Sequence, residues 1–289
     1  MPDQHELDPQ AILAALGITG AVEATPVSGG FDTAIWRVDH DRQRYALRVF
    51  RAEQAETARR EIAAMRAALA GGLPVPAIHA AGGWRERPVL LLGWCDGEPL
   101  LGRLQRQPWQ LWRLGLAFGR TQAAIHAIAP APDRALPTDD WIGWAGAEQE
   151  ALRERLIAVA GRARQLLHLD YHPLNVMTDG RRVTAVLDWA NARVGDPRAD
   201  VARSHTILAI DPHWPRGPHI GLFRWIVARA WRHGYEQAAG RLGDMALFYA
   251  WAGAVMQRDL APRAGRDGVS LDRVRRWTDA WKRRAGLIG

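Results

Sequence analysis

Apolar and polar positions alternate in the first third of the chain and take helical spacing over most of the rest. Leu7 precedes Asp8-Pro9, a capping residue followed by the residue best suited to a first helical turn, and apolar spacing then runs through Leu16 to Gly17. This predicts a short helix in which Leu7 and Ile12 form a hydrophobic staple. Residues 34–38 and 44–50 alternate with period two and predict strands. In the second strand Tyr45, Leu47 and Val49 share one face, and Ala46, Arg48 and Phe50 the other. From about residue 53 to 69 the pattern turns helical, with Ile62, Met65, Ala68 and Leu69 as its apolar stripe and Gly71-Gly72 as its stop. Pro74-Val75-Pro76 predicts a loop, and residues 88–94 a short buried strand broken by Asp96-Gly97.

Residues 109–128 predict a long helix, with Leu111, Leu114, Ala117, Phe118, Ala124, Ile125 and Ile128 available for a core. His126 near its end is expected to be packed or capping. Prolines over 130–137 break the pattern. Asp139, Asp140, Trp141, Trp144, Glu148 and Glu150 then read as a solvated acidic connection. Beyond residue 200 the chain reads as helical, with apolar spacing at 220–235, 242–256 and 271–281. Tryptophans recur there at 214, 225, 231, 251, 277 and 281, and most are expected in the core.

Composition narrows the class. A chain of 289 residues, 48% hydrophobic and 24% charged, is that of an ordinary globular protein with ample core. The single cysteine, Cys95, excludes an internal disulfide and a multi-cysteine zinc site, so a reducing, cytoplasmic setting is expected. No run approaches the roughly 20 apolar residues of a membrane span, and no leader pattern opens the chain. The net charge of +7 comes from dispersed arginines, Lys282 being the only lysine. No nucleic-acid motif accompanies them, so no nucleic-acid partner is expected.

Candidate chemistry concentrates in residues 166–200. His168-x-Asp170 is followed by Asn175, by a turn at Asp179-Gly180, and by Asp188. A hairpin turning at Asp-Gly would bring Asn175 and Asp188 side by side, with oxygens suited to a hard cation such as Mg²⁺. Asp170, on the preceding loop, would face the same space and could accept a hydroxyl proton. Upstream, Ser28-Gly29-Gly30 lies between strands, where it either lets backbone N–H groups approach phosphates or makes a plain hairpin turn. Arg48, on a buried strand face, needs a partner, and Glu61 on the next helix offers one.

The pattern His168-x-Asp170-x₄-Asn175, then Asp188-Trp189, then Gly195-Asp196-Pro197 resembles the catalytic segment of the aminoglycoside phosphotransferase (choline-kinase-like) family. The resemblance implies an α+β, two-lobed protein-kinase-like fold. Residues 1–95 would form an N-terminal lobe with an antiparallel sheet and one main helix, and 96–289 a larger helical lobe. It implies ATP and Mg²⁺ as cofactors and a small hydroxylated molecule as acceptor, with oligomeric state left open. Asp170 would be the base, Asn175 and Asp188 the metal ligands, and His168 and Asp196 supports. Ser28, Gly29 and Gly30 would cover the phosphates, and Arg48 with Glu61 would stand for the Lys–Glu pair of kinases. Gly93, Trp94 and Cys95 would meet the adenine edge.

Three rivals carry less weight. A protein kinase needs an activation loop and an Ala-Pro-Glu segment, and only seven residues separate Asp188 from Asp196. A catalytically impaired nucleotide-binding module would lack a base or a metal ligand, and only Arg48 in the usual lysine position points that way. A nucleic-acid binder would need a clustered basic surface. In the helical region Glu236, Asp244 and Asp259 are outnumbered by arginines, which weighs against a polycationic acceptor.

Overall fold

The computed structural model describes residues 7–20, 22–27, 33–160, 164–212, 217–263 and 270–289. Ser28, Gly29 and Gly30 lie outside the described residues.

The expected first helix is α1 (Pro9–Ala15), capped by Asp8 through the Gln10 N–H, with Leu7 and Ile12 both buried. The alternating runs form β2 (Ala34–His40) and β3 (Gln43–Val49), and the apolar run forms β5 (Arg87–Gly93). Two further strands, β1 (Glu23–Pro26) and β4 (Ile78–Trp84), complete an antiparallel sheet of order β1-β2-β3-β5-β4. Alternation of side chains gives this sheet two different faces. On one, Trp36, Val38, Leu47, Val49, Val89 and Leu91 pack with Ile12 and Leu13 of α1. On the other, Phe50, Leu90 and Leu92 join Ala58, Ala64, Met65 and Ala68 of α2 (Ala55–Ala70). That second core runs on without interruption into the helical lobe through Leu100, Leu114 and Phe118. Arg48 lies on this inner side, between Ile35 of β2 and Leu90 of β5.

The stripe on α2 differs from expectation at one end, because Leu69 is 55% exposed. The buried face is Ala58, Glu61, Ala64, Met65 and Ala68, which turns Glu61 toward the sheet and carries Leu69 around to solvent.

The helical lobe begins with β6 (Glu98–Pro99), α3 (Leu100–Arg106) and α4 (Leu111–His126), the expected helix shortened at both ends. After α5 (Glu150–Val159), β7 (Gln165–Leu167) leads into the signature segment. Its hairpin, β8 (Val176–Thr178) and β9 (Val183–Val186), turns over residues 179–182. The strand β10 (Arg193–Gly195) returns to pair with β7. Helices α6 (Pro197–Ile210), α7 (Pro218–Ala239), α8 (Ala246–Leu260) and α9 (Asp272–Arg284) follow.

The acidic connection after residue 137 keeps Asp140, Glu148 and Glu150 exposed, as expected, but it is not solvated throughout. A 3-10 segment, Asp140–Ala145, buries Trp141 completely against Phe248 and Trp251, and Trp251 donates its indole N–H to the Trp141 carbonyl. Asp140 stays exposed beside the buried indole and is bonded to Arg193 at 2.6 Å. Trp231 and Trp251 are core as expected, whereas Trp225 is 60% exposed on α7.

Helices α4 and α7 approach closely through glycine. A Cβ at Gly119 would meet the Trp231 carbonyl, and one at Gly234 the backbone of Leu116. Gly221, on the same α7, has open space around it. Gly119→Ala is therefore expected to lower the unfolding free energy by about 1–3 kcal/mol through overpacking. Gly221→Ala should instead be neutral or stabilising by up to about 1 kcal/mol, through helix propensity. Urea titrations of the two variants check this.

Candidate active site

The loop from β7 to β8 carries His168, Asp170 and Asn175, and one buried carboxylate holds it in shape. Asp200 of α6 is fully buried and accepts three N–H bonds of 2.9 Å. Two come from the backbone of His168 and Leu169, and the third from Nε2 of His126. Burial alone would push this carboxyl up, but the His126 contact and the backbone donor hold it below the usual aspartate range. Leu169 takes a left-handed conformation, φ +60°, rare for a bulky residue. Its neighbour Tyr171 is anchored to α4 by a 2.7 Å bond to the Phe118 carbonyl and by stacking on that ring at 4.4 Å.

With the backbone so fixed, Asp170 points into a partly open space, its side chain 26% exposed. Asn175 donates its amide to the Asp170 carbonyl at 3.0 Å and lies 3.4 Å from Asp170 Oδ2. The Asn175 carbonyl receives the Leu187 N–H at 2.8 Å, and the Leu187 carbonyl meets His168 Nε2 at 2.9 Å. Leu187 is thus gripped from both sides, which sets Asp188 beside Asn175. Asp188 is also left-handed, φ +59°, and its side chain is 43% exposed. Asp170, Asn175 and Asp188 therefore share one hydrogen-bonded edge of the β7–β9 region.

From the sheet, Arg48 reaches the same edge. Its Nε donates to Thr33 at 3.0 Å, one terminal nitrogen to Glu61, and the other to Asp188 Oδ1 at 3.4 Å. Burial works against the Arg48 charge, but Glu61 and Asp188 more than offset it and keep the guanidinium charged. Glu61 is itself fully buried, and its carboxyl is pushed up by that burial while Arg48 pulls the other way. Arg60, next along α2, donates to the Ala190 carbonyl at 2.9 Å, so this helix touches the Asp188 segment twice.

At the end of β5 the three expected hinge residues differ in what they can offer. The Gly93 N–H is committed to the Ala77 carbonyl at 2.8 Å and the Trp94 N–H to the Arg44 carbonyl at 3.0 Å. Cys95 is half-buried, and burial pushes its thiol up to about 11, so it remains protonated. Among the described residues the hydrogen bonds of Asp196 go to Arg198 and none to the loop. It caps α6 through the Arg198 N–H at 2.9 Å and pairs with the Arg198 guanidinium at 2.7 Å.

Among the described residues no group of three or more histidines, cysteines or acids gathers to hold a metal. The donor set offered is one carboxylate and one amide oxygen. That set suits Mg²⁺, which keeps waters and takes phosphate oxygens in place of an all-protein cage. The Asn175 amide nitrogen makes the bonds to Asp170, so its oxygen is the atom left to meet such an ion.

The sequence profile of the Phosphotransferase enzyme family matches residues 23–251. The chain belongs to that family. It is 49% identical over 39 residues to the Hygromycin-B 4-O-kinase of Escherichia coli, a match spanning 14% of this chain and 11% of that relative. Its fold is similar to that of aminoglycoside phosphotransferase APH(4)-Ia, in a crystal structure of a thermostable mutant with AMP-PNP and hygromycin B. That alignment has a TM-score of 0.65 and 18% identity, over 97% of this chain and 99% of the other. It is also similar to the Plasmodium vivax ethanolamine kinase, with a TM-score of 0.58 and 10% identity, over 94% and 85% of the two chains. The α+β, two-lobed kinase-like fold expected from the sequence is thereby established for this phosphotransferase.

Sequence reading missed Asp200 and His126 as parts of the site. The only signal for Asp200 was its place one turn into the helix after Gly195-Asp196-Pro197, and nothing marked which histidine it would meet. Because the folded carboxyl of Asp200 lies below its ordinary value, its stabilisation is present above about pH 4, the unfolded aspartate value. It is lost as pH falls through the folded value. Asp200→Asn should therefore cost on the order of 3–5 kcal/mol at pH 7, as a broken buried pair does. The difference from the parent should shrink on acidification below pH 4, measured by urea titration at several pH values.

Proposed function

We propose that this phosphotransferase moves the γ-phosphoryl group of ATP, taken as its Mg²⁺ complex, onto a hydroxyl of a small molecule. The reaction would lie between a lobe of residues 1–95 and a lobe of residues 96–289. The observation that carries this reading is the shared edge on which Asp170, Asn175 and Asp188 meet Arg48 from the sheet.

Asp170 orients the acceptor hydroxyl and takes its proton, with its own carbonyl tied to Asn175 so that the side chain keeps one direction. Asn175 and Asp188 would hold Mg²⁺, which when bound neutralises charge on the phosphates. Arg48, fixed by Thr33 and Glu61, keeps an arm on Asp188 and lies where a phosphate oxygen can take its place. Ser28, Gly29 and Gly30 would add backbone N–H groups to the phosphates. Of the three residues at the end of β5, Cys95 is the one whose N–H is not committed to the sheet, and it is assigned to the adenine edge. Since the transition state of phosphoryl transfer is loose, positioning and charge supply most of the acceleration.

The acceptor falls among antibiotics, amino alcohols, homoserine and sugars. Two of the three acids noted in the helical region are already matched by arginines: Asp259 by Arg203 and Arg258, Glu236 by Arg232. That pairing favours a neutral acceptor over a polycation. A cytoplasmic setting accords with the lone Cys95, and no described helix is long and apolar enough to cross a membrane.

A panel of hydroxylated metabolites and antibiotics, including hygromycin B, assayed for ADP release tests the reading. No release with any acceptor, alongside intact Mg·ATP binding, would favour a catalytically impaired nucleotide-binding module. Asp170→Asn should lower turnover by roughly 10²–10⁴-fold while Mg·ATP binding persists. Asp188→Ala should abolish the Mg²⁺-dependent part of nucleotide affinity in calorimetry. Arg48→Lys, which keeps charge but not the three-armed fork, should raise the KM for ATP and lower kcat together.

A further inference from the structure

Asp170 stands between two peptide groups, and their planes place its Cα and limit its backbone angles. The peptide that follows is held by Asn175, whose amide donates to the Asp170 carbonyl at 3.0 Å. The peptide that precedes joins Leu169 to Asp170, and the mechanism above says nothing of what holds it. Its N–H, on Asp170, meets His168 Nδ1 at 3.3 Å, a contact within the same loop. Its carbonyl, on the fully buried Leu169, takes a long bond of 3.4 Å from Nε of Arg203. No other hydrogen bond reaches that carbonyl among the described residues, and a buried carbonyl needs one. Arg203 is therefore the group that ties this peptide to the scaffold outside the loop.

Arg203 lies three residues beyond Asp200 on α6, where two side chains share a face. Asp200 accepts the N–H groups of His168 and Leu169, and Arg203 donates to the carbonyl that comes next. Between them they hold three successive peptide groups leading to Asp170. Arg203 is buried, and a terminal nitrogen reaches Oδ2 of Asp259, at the end of α8, at 3.3 Å. Asp259 has a closer partner in Arg258, which meets Oδ1 at 2.6 Å. The ion pair matches the Arg203 charge and leaves its Nε to the loop.

We propose that Arg203 is a positioning residue for phosphoryl transfer: through Nε it fixes the peptide that precedes Asp170, as Asn175 fixes the one that follows. The proposal rests on the phosphotransferase reading for its consequence, but its geometry can be tested separately. A purely architectural Arg203 would act through the ion pair that joins α6 to α8. Two substitutions separate these roles. Gln carries an amide nitrogen at the bond depth of the arginine Nε, whereas Met carries a methyl group there and no donor. Both remove the ion pair, Arg258 remains to match Asp259, and both are helix formers comparable to arginine.

The test uses the full chain with Arg203→Gln, Arg203→Met and Asp259→Asn. ADP release from Mg·ATP is measured with the panel of hydroxylated acceptors and with water, Mg·AMP-PNP binding by calorimetry, and the two Arg203 variants are crystallised. Arg203→Met should lower kcat about tenfold or more with the KM for ATP within about twofold, since a misplaced base costs that much or more. Its Leu169–Asp170 peptide should be turned from its place in the parent. Arg203→Gln should keep kcat within about threefold and that peptide in place. Equal kcat values for Gln and Met overturn the proposal: if both fall, the ion pair is what matters, and if both hold, the peptide needs no anchor. Asp259→Asn weakens the pair but leaves Nε, so a loss of kcat of about tenfold there overturns it as well. If the parent turns over no acceptor, the phosphotransferase reading fails. The crystal structures still decide the Arg203 assignment, because a peptide unmoved in Arg203→Met, or moved alike in both variants, sinks it.

Discussion

A single carboxylate with no access to solvent sets the shape of the site. Asp200 has been taken out of water at a cost of several kcal/mol, and it is tolerated because N–H donors converge on it from two directions. Two of these donors are consecutive backbone amides, at His168 and Leu169. To aim both at one side chain the chain must turn sharply, and Leu169 takes a left-handed conformation to do so. A bulky residue held this way carries about 1–3 kcal/mol of strain. That strain projects Asp170 out of the core while its neighbours on both sides, Leu169 and Tyr171, stay fully buried.

A second constraint joins the sheet to this loop. Arg48 and Asp188 are far apart in sequence, yet they meet through a fork that also holds Thr33 and Glu61. A lysine carries the same charge on one point; a guanidinium can serve three directions at once because its donors are spread over a plane. The arginine thus ties the residue that leads into β2, the helix α2 and the Asp188 segment into one unit. The left-handed Asp188 is the second strained residue of the site, and it too is held from several sides, by Arg48 and by the doubly bonded Leu187 before it.

How far the sequence disclosed this depends on whether a feature is written in local pattern. The hairpin and the strands bearing Arg48 were legible because alternation and an Asp-Gly turn are local signals. The strand β4 was not, since Ile-His-Ala-Ala-Gly-Gly-Trp offers a single β-branched residue and no alternation; its place comes from pairing with the strongly apolar β5. The segment around Trp141 misled because its acids are indeed exposed and gave no sign of the indole buried between them. The spacing of Asp170, Asn175 and Asp188 could be read along the chain. Asp200 could not be assigned its role, because a carboxylate on a helix becomes a loop clamp only through partners brought from α4. Asp196, by contrast, looked like a brace and is a helix cap, the more local of its two possible duties.

The scaffold that delivers Asp200 is itself built on close helix contact. Two polar rungs, one turn apart, cross from α7 through α4 to α6. Trp231 donates to Gln122, which donates to Ser204, and Tyr235 meets His126, which meets Asp200. Each rung needs the three helices at hydrogen-bond spacing, and side chains of ordinary size at the α4–α7 contact would hold them too far apart. Gly119 and Gly234 remove that obstacle, lying against the backbones of Trp231 and Leu116. The glycines have no chemistry of their own, but they decide whether His126 reaches Asp200, whether Asp200 reaches Leu169, and so which way Asp170 faces.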